Sequence, residues 1–213
     1  VFSIMYKLPD LKTAQVEGKK VFLRADIDVP LSQQTTNNKQ QTTIADDTRL
    51  RDSLETLKYL LDNGSQVVLA GHLGRPQGEE EDLSAEPIAE WYKNKLEIKN
   101  EKLKMIRIGE LNGWKINENL FVLENLRFHK EEEENDQEFS KKLASVAQIY
   151  VNDAFASSHR AHASIVGIAK LLPHYAGFML TKEIETLSSL IENPKRPLLV
   201  VLGGAMIETK MPL

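Results

Sequence analysis

The chain predicts an α/β fold: an open, three-layer parallel sheet with helices on both faces. Two patterns point there. Short strand-like runs alternate with stretches of helical period, and the runs at 66–70, 120–124 and 198–202 are apolar almost throughout, as strands covered on both faces are. A third observation narrows the class: no internal repeat, no GxxxxGK[ST] and no GxGxxG occurs among the 213 residues, which weakens P-loop and dinucleotide-binding readings.

The first strand lies in VFLRADIDVPL, residues 21–31. Successive side chains on a strand alternate faces, so Val21, Leu23, Ala25, Ile27 and Val29 share one face and Arg24, Asp26 and Asp28 the other. Taken alone, this fits a half-exposed strand as well as a built polar site. The run SQQTTNNKQQTT at 32–43 has no apolar period and predicts a flexible loop. Asp46 and Asp47 offer caps to a helix carrying Leu50, Leu54, Leu57 and Leu61, which Asn63 and Gly64 close.

Strand 66–70 breaks at Gly71 into GHLGRP, and the acidic run at 79–82 predicts solvated surface. Ser84 caps a second helix over 85–96, and KMIRI at 104–108 predicts a strand. Strand 120–124 ends in NLRFH, after which EEEEN leads to a helix with Phe139, Leu143 and Ala147 on one face. Strand 149–151 runs into NDAFASSHRAHAS; a helix over 163–172 follows, up to Pro173. Residues 181–193 predict an amphipathic helix of about 18 Å, with Ile184, Leu187 and Ile191 inward and Asn193-Pro194 stopping it. The strand PLLVVLGGA ends in two glycines.

A net charge of -4 and a pI near 5.8 argue against a general affinity for nucleic acid or anionic membrane, so any anion site is a local concentration of positive charge. Zero cysteines exclude disulfides, thiolate catalysis and Cys-ligated zinc; no HExxH or compact ligand cluster replaces them. No apolar run reaches membrane-span length and residues 1–10 lack a secretory pattern, so the expectation is a soluble, cytoplasmic protein without a metal site of its own.

The arginines are distributed unevenly. Arg75, Arg127 and Arg160 each stand a few residues past a predicted strand, and Arg49 opens the first helix. In a parallel sheet those carboxyl ends share one edge, where ligands bind. Arginine grips phosphate and carboxylate through paired hydrogen bonds, so a convergent set suits a small, multiply charged anion. His72, His129, His159 and His162 fall in the same loops, while Asp26 and Asp28 suit a neighbouring hydroxyl.

Six segments in order, RADIDVPL, DDTRLR, GHLGRP, ENLRFHKEEE, YVNDAFASSHRAHAS and VLGGAMIETKMPL, resemble the signature segments of phosphoglycerate kinase from about residue 19 to the last. The resemblance implies a Rossmann-like, 3-phosphoglycerate-binding domain over 1–172, a hinge segment and helix over 173–195, and the start of a nucleotide-binding domain over 196–213. It implies phosphoryl transfer between 1,3-bisphosphoglycerate and ADP, with Mg-ADP or Mg-ATP as the nucleotide and a usually monomeric protein. Carried over by motif, Asp26, Asp28, Arg49, His72, Leu73, Gly74, Arg75, Arg127 and Arg160 bind substrate, and Arg49 also steadies the moving phosphoryl group. Arg24 supports them, and Gly203, Gly204 and Lys210 face nucleotide.

Three departures stand out. Asp28 occupies a position where the family usually has Asn, Met206 one where it has Lys, and the sequence ends at Leu213. The expectation is therefore a fragment that does not turn over alone, whose strand 198–202 must pair with missing chain or a partner. The alternatives are a catalytically inactive kinase-like binding or scaffolding subunit and, from another lineage, a sugar-phosphate binding module on a similar sheet.

Overall fold

A computed structural model describes residues 8–36, 39–199 and 201. Its sheet is built on β1 (Lys20–Ala25), which pairs in parallel with β4 (Gln66–Ala70) on one side and β8 (Ile149–Asp153) on the other. The neighbour of β4 is β7 (Leu120–Leu123), and that of β8 is β9 (His174–Ala176), both again parallel. Beyond β7 the sheet changes sense: β5 (Lys104–Ile108) and β6 (Leu111–Lys115) add an antiparallel ribbon, giving the order β5-β6-β7-β4-β1-β8-β9. The expected strand 104–108 is present, but the short connection at Gly109 (φ 62°) turns it back as a hairpin.

Both faces of β1 are core. Val21, Leu23 and Ala25 pack with Leu57 and Leu60 of α2 (Leu54–Asp62) and with Ile88 and Tyr92 of α3 (Glu86–Lys95). Phe22 faces the other way, into Val68, Tyr150 and, from α5 (Gln137–Ser145), Phe139 and Leu143. The charged face expected for this strand is therefore not a solvated one. Arg24 is fully buried, while Asp26 and Asp28 lie past the strand end.

Further expectations are corrected. The polar run at 32–43 is a hairpin, β2 (Leu31–Thr36) against β3 (Lys39–Ile44), with Ser32 and Thr43 hydroxyls 2.9 Å apart across it. Cross-strand hydroxyl and amide bonds supply the pairing that apolar period does not. The first helix is split at Ser53 into α1 (Thr48–Asp52) and α2, because the Ser53 hydroxyl donates back to the Leu50 carbonyl at 2.8 Å and meets Tyr92 Oη at 2.7 Å.

In place of a helix over 163–172 there is a π-helical turn, Ala163–Gly167, followed by a 3₁₀ turn, Ile168–Lys170. Gly167 sits so close to α5 that a Cβ there would lie 2.0 Å from Ser140 Oγ. Between these parts, α4 (Lys130–Glu133) is a single turn. Finally, α6 (Phe178–Glu192) buries only Leu180; Leu187 and Ile191, expected inward, are exposed. Leu198, Leu199 and Val201 are exposed and in no strand, and the rest of the expected 198–202 strand lies outside the described residues, as do Gly203, Gly204, Met206 and Lys210.

Candidate functional site

Because β1, β4, β7 and β8 run in parallel, the loops that leave their carboxyl ends emerge along one edge. From β1 come Asp26 and Asp28; from β4, Gly71 to Arg75; from β7, Asn125 to His129; from β8, Phe155 to His162. Arg49 reaches the same edge from α1, its Nη1 3.3 Å from Asp26 Oδ1 and 3.9 Å from Asp28 Oδ2.

Asp28 links two loops. Its Oδ1 accepts from the Gly74 amide at 2.9 Å, and its Oδ2 lies 3.7 Å from His72 Nε2. Gly74 has φ +59°, and a Cβ there would press to 3.1 Å from Leu83, so the bend that exposes its amide to the site needs glycine.

Asn125, fully buried, fastens the loops after β4 and β7 to each other. Its Oδ1 accepts from the amides of Leu73 and Arg127, each at 3.1 Å; its Nδ2 donates to the carbonyls of Leu73 at 2.8 Å and Leu83 at 3.1 Å. Arg127, also buried, donates from Nη1 to the Gly74 carbonyl at 2.6 Å. Its Nε stands 2.9 Å from Glu133 Oε1, a charge contact without hydrogen-bond alignment, and its Nη2 is buried with no hydrogen-bond partner among the described residues. Burial pushes this guanidinium down from its usual pKa, Glu133 holds it up, and Arg160 pushes it down again. Arg160 is half-buried in the loop after β8 and near enough to depress His72 and His162 as well.

Beneath these loops Arg24 donates from Nη2 to His72 Nδ1 at 2.9 Å, from Nε to Ser164 Oγ at 3.0 Å and from Nη1 to the Ala25 carbonyl. Burial first, then the cations of Arg24, Arg127 and Arg160, bring His72 from 6.5 down to about 2. The contribution of this ring to stability is fully present above 6.5, where it is neutral in both states, and is lost as pH falls toward the folded value, because only the unfolded chain takes up the proton. Acidification from pH 7 to pH 5 should therefore lower the unfolding free energy, this residue supplying up to about 1.4 kcal/mol per pH unit. In His72→Gln, chemical denaturation across that range should show a flatter slope, with His162, depressed chiefly by burial, keeping part of it. An unchanged slope would mean that His72 is not held neutral.

The structure thus brings together Asp26, Asp28, Arg49, His72, Leu73, Gly74, Arg127 and Arg160. Arg75 follows Gly74 directly and is exposed, with no ion pair among the described residues. His129 instead stacks on Phe139 at 4.9 Å, and His159 is exposed. Asn125, Ser164 and Glu132 carry no mark in the sequence; nothing in the EEEE run distinguishes Glu132, which alone of the four is fully buried. A cavity of about 840 Å³ has none of the arginines in its lining, which carries Glu79, Glu80, Glu81, Glu86, Glu90 and Glu124 and so repels a phosphate. No group of histidine, aspartate and glutamate suited to a metal ion occurs among the described residues, and no helix there is long and apolar enough to cross a membrane.

A family model described as "Phosphoglycerate kinase" matches residues 11–213. The phosphoglycerate kinase of Dictyoglomus turgidum is 43% identical over 208 residues, covering 95% of this chain and 50% of the relative. The chloroplastic phosphoglycerate kinase 1 of Arabidopsis thaliana is 44% identical over 206 residues (95% of this chain, 41% of the relative), and the cytosolic enzyme of Triticum aestivum 43% over 210 (94% and 49%). Among solved structures, phosphoglycerate kinase from Coxiella burnetii superposes with TM-score 0.75 at 30% identity, over 96% of this chain and 50% of that one. The Pyrococcus horikoshii enzyme gives 0.74 at 34% identity, over 94% and 50%. The chain spans about half the length of these relatives or somewhat less. The arginine-bearing strand ends, the ordered motifs and these matches agree: the chain belongs to the phosphoglycerate kinase family.

Proposed function

We propose that this chain is the substrate-binding half of a phosphoglycerate kinase, holding 3-phosphoglycerate or 1,3-bisphosphoglycerate for phosphoryl exchange with ADP and ATP in glycolysis. The observation that supports this best is Arg127: a buried guanidinium whose Nη2 has no hydrogen-bond partner among the described residues, beside Arg160 and His72 on an otherwise acidic protein. A buried donor left unpaired is costly, and a phosphate or carboxylate oxygen would satisfy it.

In this reading Arg75, Arg127 and Arg160 neutralise the anionic groups of the substrate, with His72 and the Gly74 amide adding uncharged donors. Asp26 and Asp28 accept from the glycerate hydroxyl. Arg49, held by both aspartates but half exposed, is placed to turn toward a transferring phosphoryl group. Phosphoryl transfer asks mostly for positioning and charge neutralisation, which such a set supplies. Asp28 occupies the Gly74 amide in the free protein, so an incoming anion competes with a carboxylate where the family usually has an amide. Residues 1–172 form the substrate domain in this scheme, 173–195 the hinge, and 196–213 the beginning of the nucleotide domain. Mg-nucleotide would be met by Gly203, Gly204 and Lys210, which lie outside the described residues, so no step is assigned to them.

Isothermal titration of the purified protein with 3-phosphoglycerate should show one saturable site, weakened by added salt. No heat at millimolar ligand, with the fold verified by circular dichroism, would exclude this function. Met206 favours a second reading, a kinase-derived binding subunit, since a thioether cannot neutralise a migrating phosphoryl group. Saturable binding without turnover by a full-length protein would select it.

A further inference from the structure

Arginine carries five N–H donors and no acceptor. Arg24 Nη2 stands 2.9 Å from His72 Nδ1, so that nitrogen must accept, the ring must be neutral, and its proton must sit on Nε2. Nε2 is the nitrogen that faces the anion site, 3.7 Å from Asp28 Oδ2.

Arg24 is itself held in one orientation. Its Nε donates to Ser164 Oγ at 3.0 Å, and because that oxygen accepts, the Ser164 proton is free to donate to Glu132 Oε1 at 2.5 Å. The Ser164 amide donates to the other oxygen of the same carboxylate at 2.9 Å. Arg24, Ser164 and Glu132 are all fully buried. The charge of Glu132 is thus set against that of Arg24 through one hydroxyl, in an interior where an uncompensated charge is strongly destabilising. His162 Nδ1, 3.7 Å from Glu132 Oε1, is the other titratable group on this carboxylate; Arg127, Arg160 and His162 are the remaining groups that act on His72.

We propose that Glu132 and Ser164 are positioning residues which, acting through Arg24, lock His72 in its neutral Nε2–H tautomer, so that the ring always presents a proton donor to a bound anion. The benefit to binding rests on the functional reading above; the tautomer does not. Without the relay Arg24 keeps only its bond to the Ala25 carbonyl and can turn from the ring, the ring is free to carry its proton on Nδ1, and Nε2 then turns a lone pair toward the anion.

The test reads the tautomer and the affinity separately. In the wild-type protein, long-range ¹H–¹⁵N correlation spectra between pH 5 and pH 8 should show His72 neutral and protonated on Nε2 throughout. Ser164→Ala and Glu132→Gln should each introduce an Nδ1–H population or a titration within that range. Affinity for 3-phosphoglycerate should fall roughly 3- to 10-fold, the loss of about one hydrogen bond. In a His72→Gln background Ser164→Ala should cost no further affinity, because its effect runs through the ring. A wild-type His72 that titrates or carries its proton on Nδ1 overturns the proposal, as does full additivity of the two substitutions. Should Ser164→Ala not fold, Glu132→Gln, equal in shape and still an acceptor, decides with the same spectra. If the tautomer responds as stated while 3-phosphoglycerate fails to bind wild type, the lock stands and the functional reading falls.

Discussion

Arg127→Met should reduce affinity for 3-phosphoglycerate by at least roughly 100-fold, since two charge-assisted hydrogen bonds of about 1.5–3 kcal/mol each are lost to the ligand. The fold should tolerate the change. Losing the bond to the Gly74 carbonyl leaves that oxygen unpaired, at about 1–3 kcal/mol. Against this, the substitution removes a buried cation that Arg160 repels and that burial already disfavours. For a chain of this size the sum corresponds to a fall in melting temperature of about 10 °C at most. Arg51→Met, which breaks an exposed pair with Asp47 at 2.6 Å, is the control and should leave affinity unchanged. Titration calorimetry and differential scanning calorimetry on the same samples separate the two effects. Unaltered affinity in the folded variant would mean that Arg127 does not touch the ligand.

Gly177→Ala should have the opposite signature, a large loss of stability with binding affected less. The backbone at Gly177 is extended (φ -69°, ψ 168°), so any residue could adopt it; space is what glycine supplies. A Cβ would lie 2.3 Å from Asp153 Oδ1 and 2.4 Å from its Cγ. That side chain caps α6, its Oδ1 accepting from the amides of Met179 at 2.9 Å and Leu180 at 3.1 Å, while the Phe178 amide donates to Thr56 Oγ1 at 2.9 Å. Displacing Asp153 removes a helix cap worth about 0.5–2 kcal/mol and leaves buried amides unpaired at about 1–3 kcal/mol. A total of roughly 1.5–5 kcal/mol lowers the melting temperature by roughly 3–20 °C at this chain length. A melting temperature within experimental error of wild type would show that Asp153 moves aside at no cost. In the functional scheme α6 belongs to the hinge, so the same cap ties the hinge to β8, the strand whose following loop carries Arg160.

The exposed apolar side of α6 follows from the same geometry. Its amino end is fastened to the sheet by Asp153 and Thr56, but Leu187, Leu190 and Ile191 extend beyond any described element able to cover them. Apolar spacing revealed that this helix has a side to bury; it carried no information about what lies against it.

Much of the arrangement was legible in residue order. Apolar runs at 66–70, 120–124 and 149–151 marked the strands, and the arginines at 75, 127 and 160 marked their carboxyl ends. The hairpin over 31–44 was not legible, because its pairing rests on hydroxyls and amides rather than on an apolar period. Nor was the reversal at Gly109, since a strand's direction depends on its neighbour and not on its composition.

By itself, then, the sequence determined the class of sheet and the family to which the chain belongs, and it supplied the arginines on which the proposed ligand rests. Only the tertiary structure decided that Arg24 is buried rather than solvated, and that a chain of hydrogen bonds joins it to His72, Ser164 and Glu132. The physical reason is strand order. Placing β1 between β4 and β8 sets Arg24 opposite Ala70 on one side and Asn152 on the other. Its guanidinium therefore lies between the loops that follow those two strands, where partners 48 and 140 residues away in the chain come within hydrogen-bond reach.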